Sequence, residues 1–164
     1  MRRDLGSFAV CYRSELDGLL RLAYVVSGNQ STAEDIVAEA VTRVWARWRK
    51  DDIDDLRVYL RRAVVNEVIG QGRRRRHRER RAPLLPHPET VSTDRSVDDR
   101  NLLWGALLEL PVEQRAVIAL RYLTDLTEAQ TAATLGIPLG TVKSRVSRGL
   151  EQLRLTMTEV GHDA

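Results

Sequence analysis

The chain has 164 residues, 43% of them hydrophobic and 30% charged, which suits one folded domain or two small ones in water. Its single cysteine, Cys11, excludes an internal disulfide framework, and no run nears the ~20 apolar residues of a membrane span. The net charge of +3 is unevenly spread: residues 1–81 carry 18 Lys/Arg against 12 Asp/Glu, and residues 82–164 carry 8 against 11, so a polyanionic partner is expected at the first half.

Residues 5–27 set Leu5, Phe8, Val10, Tyr12, Leu16, Leu19, Leu20, Leu22, Ala23, Val25 and Val26 at helical spacing, and Gly28-Asn29 stops the element. Ser31 and Thr32 open the next helix, with Glu34 and Asp35 in capping-box range. Its apolar face is Ile36, Val37, Ala40, Val41, Val44, Trp45 and Trp48. The acidic start and the basic end (Arg43, Arg47, Arg49, Lys50) both suit the helix dipole. Asp51 to Asp55 is an acidic loop. Leu56 to Ile69 is helical again, and Gly70 and Gly72 are expected to loosen the chain before the basic run Arg73–Arg81. That run is either a solvated tail or a phosphate-binding stretch, and its continuity with a helix favours the second. Residues 82–97 hold three prolines and no period, and read as a flexible linker.

The second half restarts at Val97, with Leu102, Leu103, Ala106, Leu107 and Leu110 on one face. Pro111 takes the first position of the following helix. Thr127 and Gln130 have capping-box spacing, and Ala129, Ala132, Ala133 and Leu135 form a small apolar face. Gly136 ends that helix, and Ile137 turns back to the core. Thr141 caps a further helix whose inner residues are Val142, Val146, Leu150 and Leu153. Its outer side carries Lys143, Ser144, Arg145, Ser147, Arg148 and Arg154. This is the layout of a DNA-binding helix-turn-helix, or of an ordinary helical hairpin with a solvated basic face.

No catalytic set emerges. His77, His87 and His162 fall in the basic run, the linker and the tail, none at metal-ligand spacing with Cys11. Phosphate-loop and dinucleotide glycine patterns are absent. The expectation is a non-enzyme with no metal and no cofactor. With no signal-like apolar stretch after Arg2 and Arg3, it is cytoplasmic.

Three segments in order resemble the sigma factors of bacterial RNA polymerase, in the short extracytoplasmic-function group of the sigma-70 family, with a sigma-E-like cast. AEDIVAEAVTRVWARW (33–48) resembles region 2.2, which docks on the β′ subunit. LRVYLRRAVVNEVIGQGRRRR (56–76) resembles regions 2.3 and 2.4, which open and read the −10 element. Leu108 to Arg154 resembles region 4, which reads the −35 element. The resemblance implies an all-α protein of two small helical domains: region 2 over 1–81, a flexible linker over 82–97, and region 4 over 98–164.

It also implies site residues. Glu34, Asp35, Glu39 and Arg43 would meet the polymerase, through its β and β′ subunits. Arg57, Tyr59, Arg61, Arg62, Asn66, Arg73, Arg74, Arg75 and Arg76 would meet the −10 DNA, with loop 51–55 pocketing a flipped base. Lys143, Ser144, Ser147 and Arg148 would read −35 bases, while Thr141 and Arg145 hold the backbone. Family members often have Trp where Tyr59 stands and an aromatic where Val41 stands. The partners implied are core RNA polymerase, promoter DNA and an anti-sigma factor, with no insertion into a membrane. The competing readings are a dimeric helix-turn-helix regulator that binds duplex operator DNA unaided, and an adaptor that holds polymerase but reads no promoter.

Overall fold

The computed structural model describes residues 4–50, 53–80 and 99–162, and every regular element among them is a helix. In chain order these are α1 (Leu5–Ser27), α2 (Gln30–Trp48), α3 (Leu56–Glu79), α4 (Asp99–Glu109), α5 (Val112–Tyr122), α6 (Glu128–Leu135) and α7 (Leu139–His162). The all-α class is as expected. The linker over 82–97, Val97, and the loop residues Asp51 and Asp52 lie outside the described residues.

Local chemistry sets the first three helices. Asp4 caps α1, its Oδ1 accepting the Ser7 N–H at 2.8 Å. Gly28 ends α1 in the left-handed region at φ 78°, its N–H donating to the Tyr24 carbonyl at 2.7 Å. The cap of α2 is Asn29, not Ser31 or Thr32: its backbone is extended and its side chain accepts the Thr32 N–H at 2.9 Å. A left-handed glycine directly ahead turns the chain, so the next residue is the one positioned to cap. Asp55 caps α3, its Oδ1 accepting the N–H groups of Arg57 and Val58 at 2.9 and 3.2 Å.

Gly70 and Gly72 do not break α3, which runs on through the arginines to Glu79. A helix-interior glycine costs only about 1 kcal/mol relative to alanine, and arginine is a good helix former. The three helices pack around Leu19, Leu22, Val26, Ile36, Val44, Leu60 and Val64, all essentially buried. Leu5 and Val10, read from the sequence as part of the apolar face of α1, are exposed.

The helices of the second half lie on this core. Ala116, Ala119 and Leu120 of α5, with Leu126, are buried in the same apolar cluster as α1, α2 and α3. Their small side chains let α5 approach closely. Tyr24 of α1 and Trp104 of α4 stack, ring centroids 4.4 Å apart and planes 13° apart. A Cβ built on Gly28 would stand 2.7 Å from Leu108 Cδ2, so the turn after α1 and the end of α4 need a residue without a side chain there. Gly28→Ala should therefore cost at least the ~1–2 kcal/mol of a left-handed non-glycine residue. A melting point about 2–8 °C lower is the expected readout in a thermal scan.

Three details of α6 and α7 differ from the sequence reading. The inward residues of α6 are Thr131 and Thr134, while Ala129 and Ala133 are exposed and Ala132 and Leu135 half-buried. Thr141 is not a cap: α7 starts at Leu139, and the Pro138 carbonyl accepts the N–H groups of Thr141 and Val142 at 3.0 and 3.2 Å. Gly140 fits inside that first turn. Leu150 is 40% exposed, and the neighbouring Gly149 faces α5, where a Cβ would come 2.5 Å from Ile118 Cδ1. Val142, Val146 and Leu153 are buried as expected. Pro111 sits one place earlier than expected, at the N-cap of α5 rather than its first turn.

Candidate nucleic-acid interface

The turn between α6 and α7 is built as a helix-turn-helix requires. The Thr127 N–H donates to Gln130 Oε1 at 2.8 Å and the Gln130 N–H donates to Thr127 Oγ1 at 3.1 Å, closing the capping box. Gly136 turns the chain at φ 65°. Ala132, Leu135 and Ile137 then pack against Val117, Val142 and Val146, which fixes α7 on α5 and α6. That anchoring leaves Lys143, Ser144, Ser147 and Arg148 exposed on one side of α7, with Thr141 and Arg145 half-buried at its edges. The Ser144 hydroxyl donates to the Thr141 carbonyl at 3.1 Å, so its oxygen is free to accept from outside.

A groove between α2 and α3 forms the second candidate surface. Tyr59, Arg62, Ala63 and Asn66 of α3 line it from one side, and Arg43 and Arg47 of α2 from the other. Asp54 and Asp55 stand at one end and Arg74 at the other. Arg62 and Asn66 are exposed, and Tyr59 is half-buried. The two side-chain faces thus offer a ring, an amide and several guanidiniums within one concave strip.

Not every expected residue joins the groove. Arg61 donates to Glu15 of α1 at 2.8 Å, and Arg57 lies 3.6 Å from the same carboxylate, so both sit on the α1 side of α3. Arg73 and Arg75 are exposed further along α3; Arg76 is in the same helix, its side chain outside the described residues. Glu34, Asp35 and Glu39 are exposed on α2, where Glu34 accepts from Gln30 at 2.8 Å. Arg43 instead reaches across to α3.

Two residues at this surface are absent from the sequence reading's site. Arg47 lines the groove along its whole length, its guanidinium carbon 5.6 Å from the Tyr59 ring centroid. Glu67 is 4% exposed and accepts from Arg43, from Arg74 at 2.7 Å and from Gln71 at 3.1 Å. Burial pushes the Glu67 carboxyl pKa up, but the Arg43 and Gln71 hydrogen bonds and the two arginine charges outweigh it, leaving it lowered. A lowered native pKa means that the stabilisation is present above the unfolded value, about 4.3, and is lost as pH falls through the native one. Arg43 and Arg74 stay half in water, so Glu67→Gln should cost only about 1–2 kcal/mol near neutrality. Melting curves from pH 7 to pH 3 should show a deficit of about 2–8 °C at pH 7, closing below about pH 4.3.

Comparison with known proteins decides the family. The model of sigma-70 region 2 matches residues 11–78, and that of sigma-70 region 4 matches residues 100–153. The chain belongs to the sigma-70 family of RNA polymerase sigma factors. It is 35% identical over 145 residues to the RNA polymerase sigma-E factor of Streptomyces avermitilis, covering 87% of this chain and 80% of that one. With the extracytoplasmic-function sigma factor SigL of Mycobacterium tuberculosis it shares 34% over 149 residues, 87% of this chain and 84% of the relative. The Bartonella quintana sigma factor RpoE, solved in complex with the anti-sigma factor NepR, superposes with a TM-score of 0.76 at 25% identity, over 94% of this chain and 98% of that one. The branch is the extracytoplasmic-function group, and a sigma factor directs RNA polymerase to promoters. The groove lies within the region 2 match, and α6, the turn and α7 through Leu153 lie within the region 4 match. Among the described residues no helix is long and apolar enough to cross a membrane.

Proposed function

We propose that this sigma factor reads its promoter with two surfaces: the α2–α3 groove for the melted −10 strand, and the exposed side of α7 for the −35 duplex. Tyr59 stacks an unpaired base, Asn66 bonds its edge, and Arg62, Arg73, Arg74 and Arg75 hold the strand's phosphates. Asn66 suits this work because its amide both donates and accepts. Lys143, Ser144, Ser147 and Arg148 meet base edges in the major groove, flanked by Thr141 and Arg145 on the backbone. Glu34, Asp35 and Glu39 face basic residues of the β′ subunit. The functional units are residues 1–81 and 98–164, joined by 82–97, and the chain acts in the cytoplasm on promoters held by core polymerase. It directs the polymerase's chemistry and performs none itself. An anti-sigma partner, such as the one seated on the Bartonella relative, completes the set.

The observation that carries the reading is the pairing of a half-buried tyrosine with an exposed asparagine and arginine in one groove, on a chain that also presents a basic recognition helix. A gel shift with and without core polymerase tests it. A fork-junction promoter should shift only when core polymerase is present; a shift by the chain alone, as a dimer on duplex DNA, supports the operator-binding regulator instead.

The −35 surface makes a separate prediction. Arg148→Ala should lose about 1–3 kcal/mol at one base position, and Arg145→Ala should weaken binding evenly across sequences while lowering its salt dependence. Titrations of the holoenzyme against single-base −35 variants check both; a flat loss for Arg148→Ala removes it from the base-reading set.

A further inference from the structure

We infer that Arg47 is a base-reading residue of the −10 site, an inference that rests on the α2–α3 groove being that site. Arg47 is exposed, and it alone of the groove's arginines meets Asp54 and Asp55 at one end, Tyr59 and Asn66 in the middle and Arg74 at the other. Its guanidinium stands over the Tyr59 ring, the platform that an unpaired base would use. Its neighbours are committed to structural pairs: Arg43 and Arg74 to Glu67, and Arg61 to Glu15. Arg47 is thus placed to meet the base itself.

The ring face cannot hold a guanidinium and a base together. A base arriving on Tyr59 displaces Arg47, which then covers the base's outer face or bonds its edge. Covering it gives a sandwich of tyrosine, base and guanidinium plane. On the edge, a guanidinium offers five N–H donors and no acceptor. It therefore selects an acceptor-rich edge, such as guanine O6 and N7 or a pyrimidine carbonyl. Asn66, with a donor and an acceptor in the same groove, supplies the complementary contact.

The test uses the full chain assembled with core polymerase and a fluorescent single strand carrying the −10 non-template sequence. A companion set carries one abasic site at each position in turn. Arg47→Ala should weaken binding of the intact strand by roughly 5- to 100-fold, the range for losing one stacked or paired base. That loss should vanish when the abasic site falls at one particular position, and Arg47→Lys, which keeps charge without the plane, should fail to restore it. A loss that is equal at every abasic position and restored by Arg47→Lys marks a phosphate contact and overturns the inference, as does no loss at all. Wild-type holoenzyme that fails to bind even the intact strand overturns the groove assignment, and Arg47 with it. Unchanged binding of each variant to a −35 duplex in the same assembly shows that the fold is kept.

Discussion

Tyr59→Ala is expected to cut promoter-directed run-off transcription by roughly 5- to 150-fold, with most of the loss in strand opening, since one base stacked on an aromatic ring contributes about 1–3 kcal/mol. Extruding a base from duplex costs a few kcal/mol, so the −10 site must supply that energy from a small number of contacts. Tyr59 is the only ring on the groove's lining among the described residues. Its side chain also packs on the main core, so truncation alone would confuse folding with stacking. Tyr59→Phe separates the two: it keeps the ring and should retain most of the activity. Permanganate reactivity of −10 thymines gives the direct readout of opening. If Tyr59→Ala opens the promoter as wild type does, the stacking role falls.

The second large effect is a change of shape. Elements centred at −10 and −35 lie about 25 base pairs apart, roughly 85 Å along B-form duplex at ~3.4 Å per pair. A compact chain of this length is only about 40 Å across. In the structure the two reading surfaces belong to helices that share a core, with α5 buried against α1 and Ala133 of α6 at the rim of the groove. A Cβ on Gly136, in the turn ahead of α7, would lie 3.0 Å from Arg62 Nη2. This packed form cannot touch both elements at once, and it narrows access to Arg62. The α4–α7 unit must therefore leave the α1–α3 unit when the sigma factor takes up its promoter.

Spin labels at Arg21 and Glu151, both exposed and outside the reading surfaces, follow that motion in a Cys11→Ser background. The expected label separation is below about 40 Å in the free chain and longer by tens of Å in the promoter complex. An unchanged separation would mean that the packed form is the working one, and the distance argument would fail.

What the sequence made legible was whatever local chemistry decides. The capping box at Thr127, the left-handed turns at Gly28 and Gly136, and the inner stripe of Val142, Val146 and Leu153 each depend on residues a few places apart. Gly70 and Gly72 misled because a glycine pair is a weak stop when good helix formers follow it. Leu150 misled for another reason: α7 approaches α5 so closely that a glycine, not a leucine, fits at the contact.

The packing of the two halves was not legible. Ala116, Ala119 and Leu120 read as core residues, but nothing in their spacing says that the core they enter is that of α1–α3. Glu67 carried a signal that went unused, since it lies among Val64, Val65 and Val68 on the apolar arc of α3, where a carboxylate needs partners. Arg47 was masked by its place at the basic end of α2, where the helix dipole already accounts for a positive charge. Only the tertiary contact with Tyr59 distinguishes it from Arg49.

The most direct test of the account is run-off transcription of genomic fragments by purified core polymerase, with and without the chain, and with the RNA starts mapped. The account requires discrete new starts that depend on the chain, each preceded by shared −10 and −35 sequences. Transcripts that are unchanged by the chain, or new starts with no shared element upstream, would contradict it.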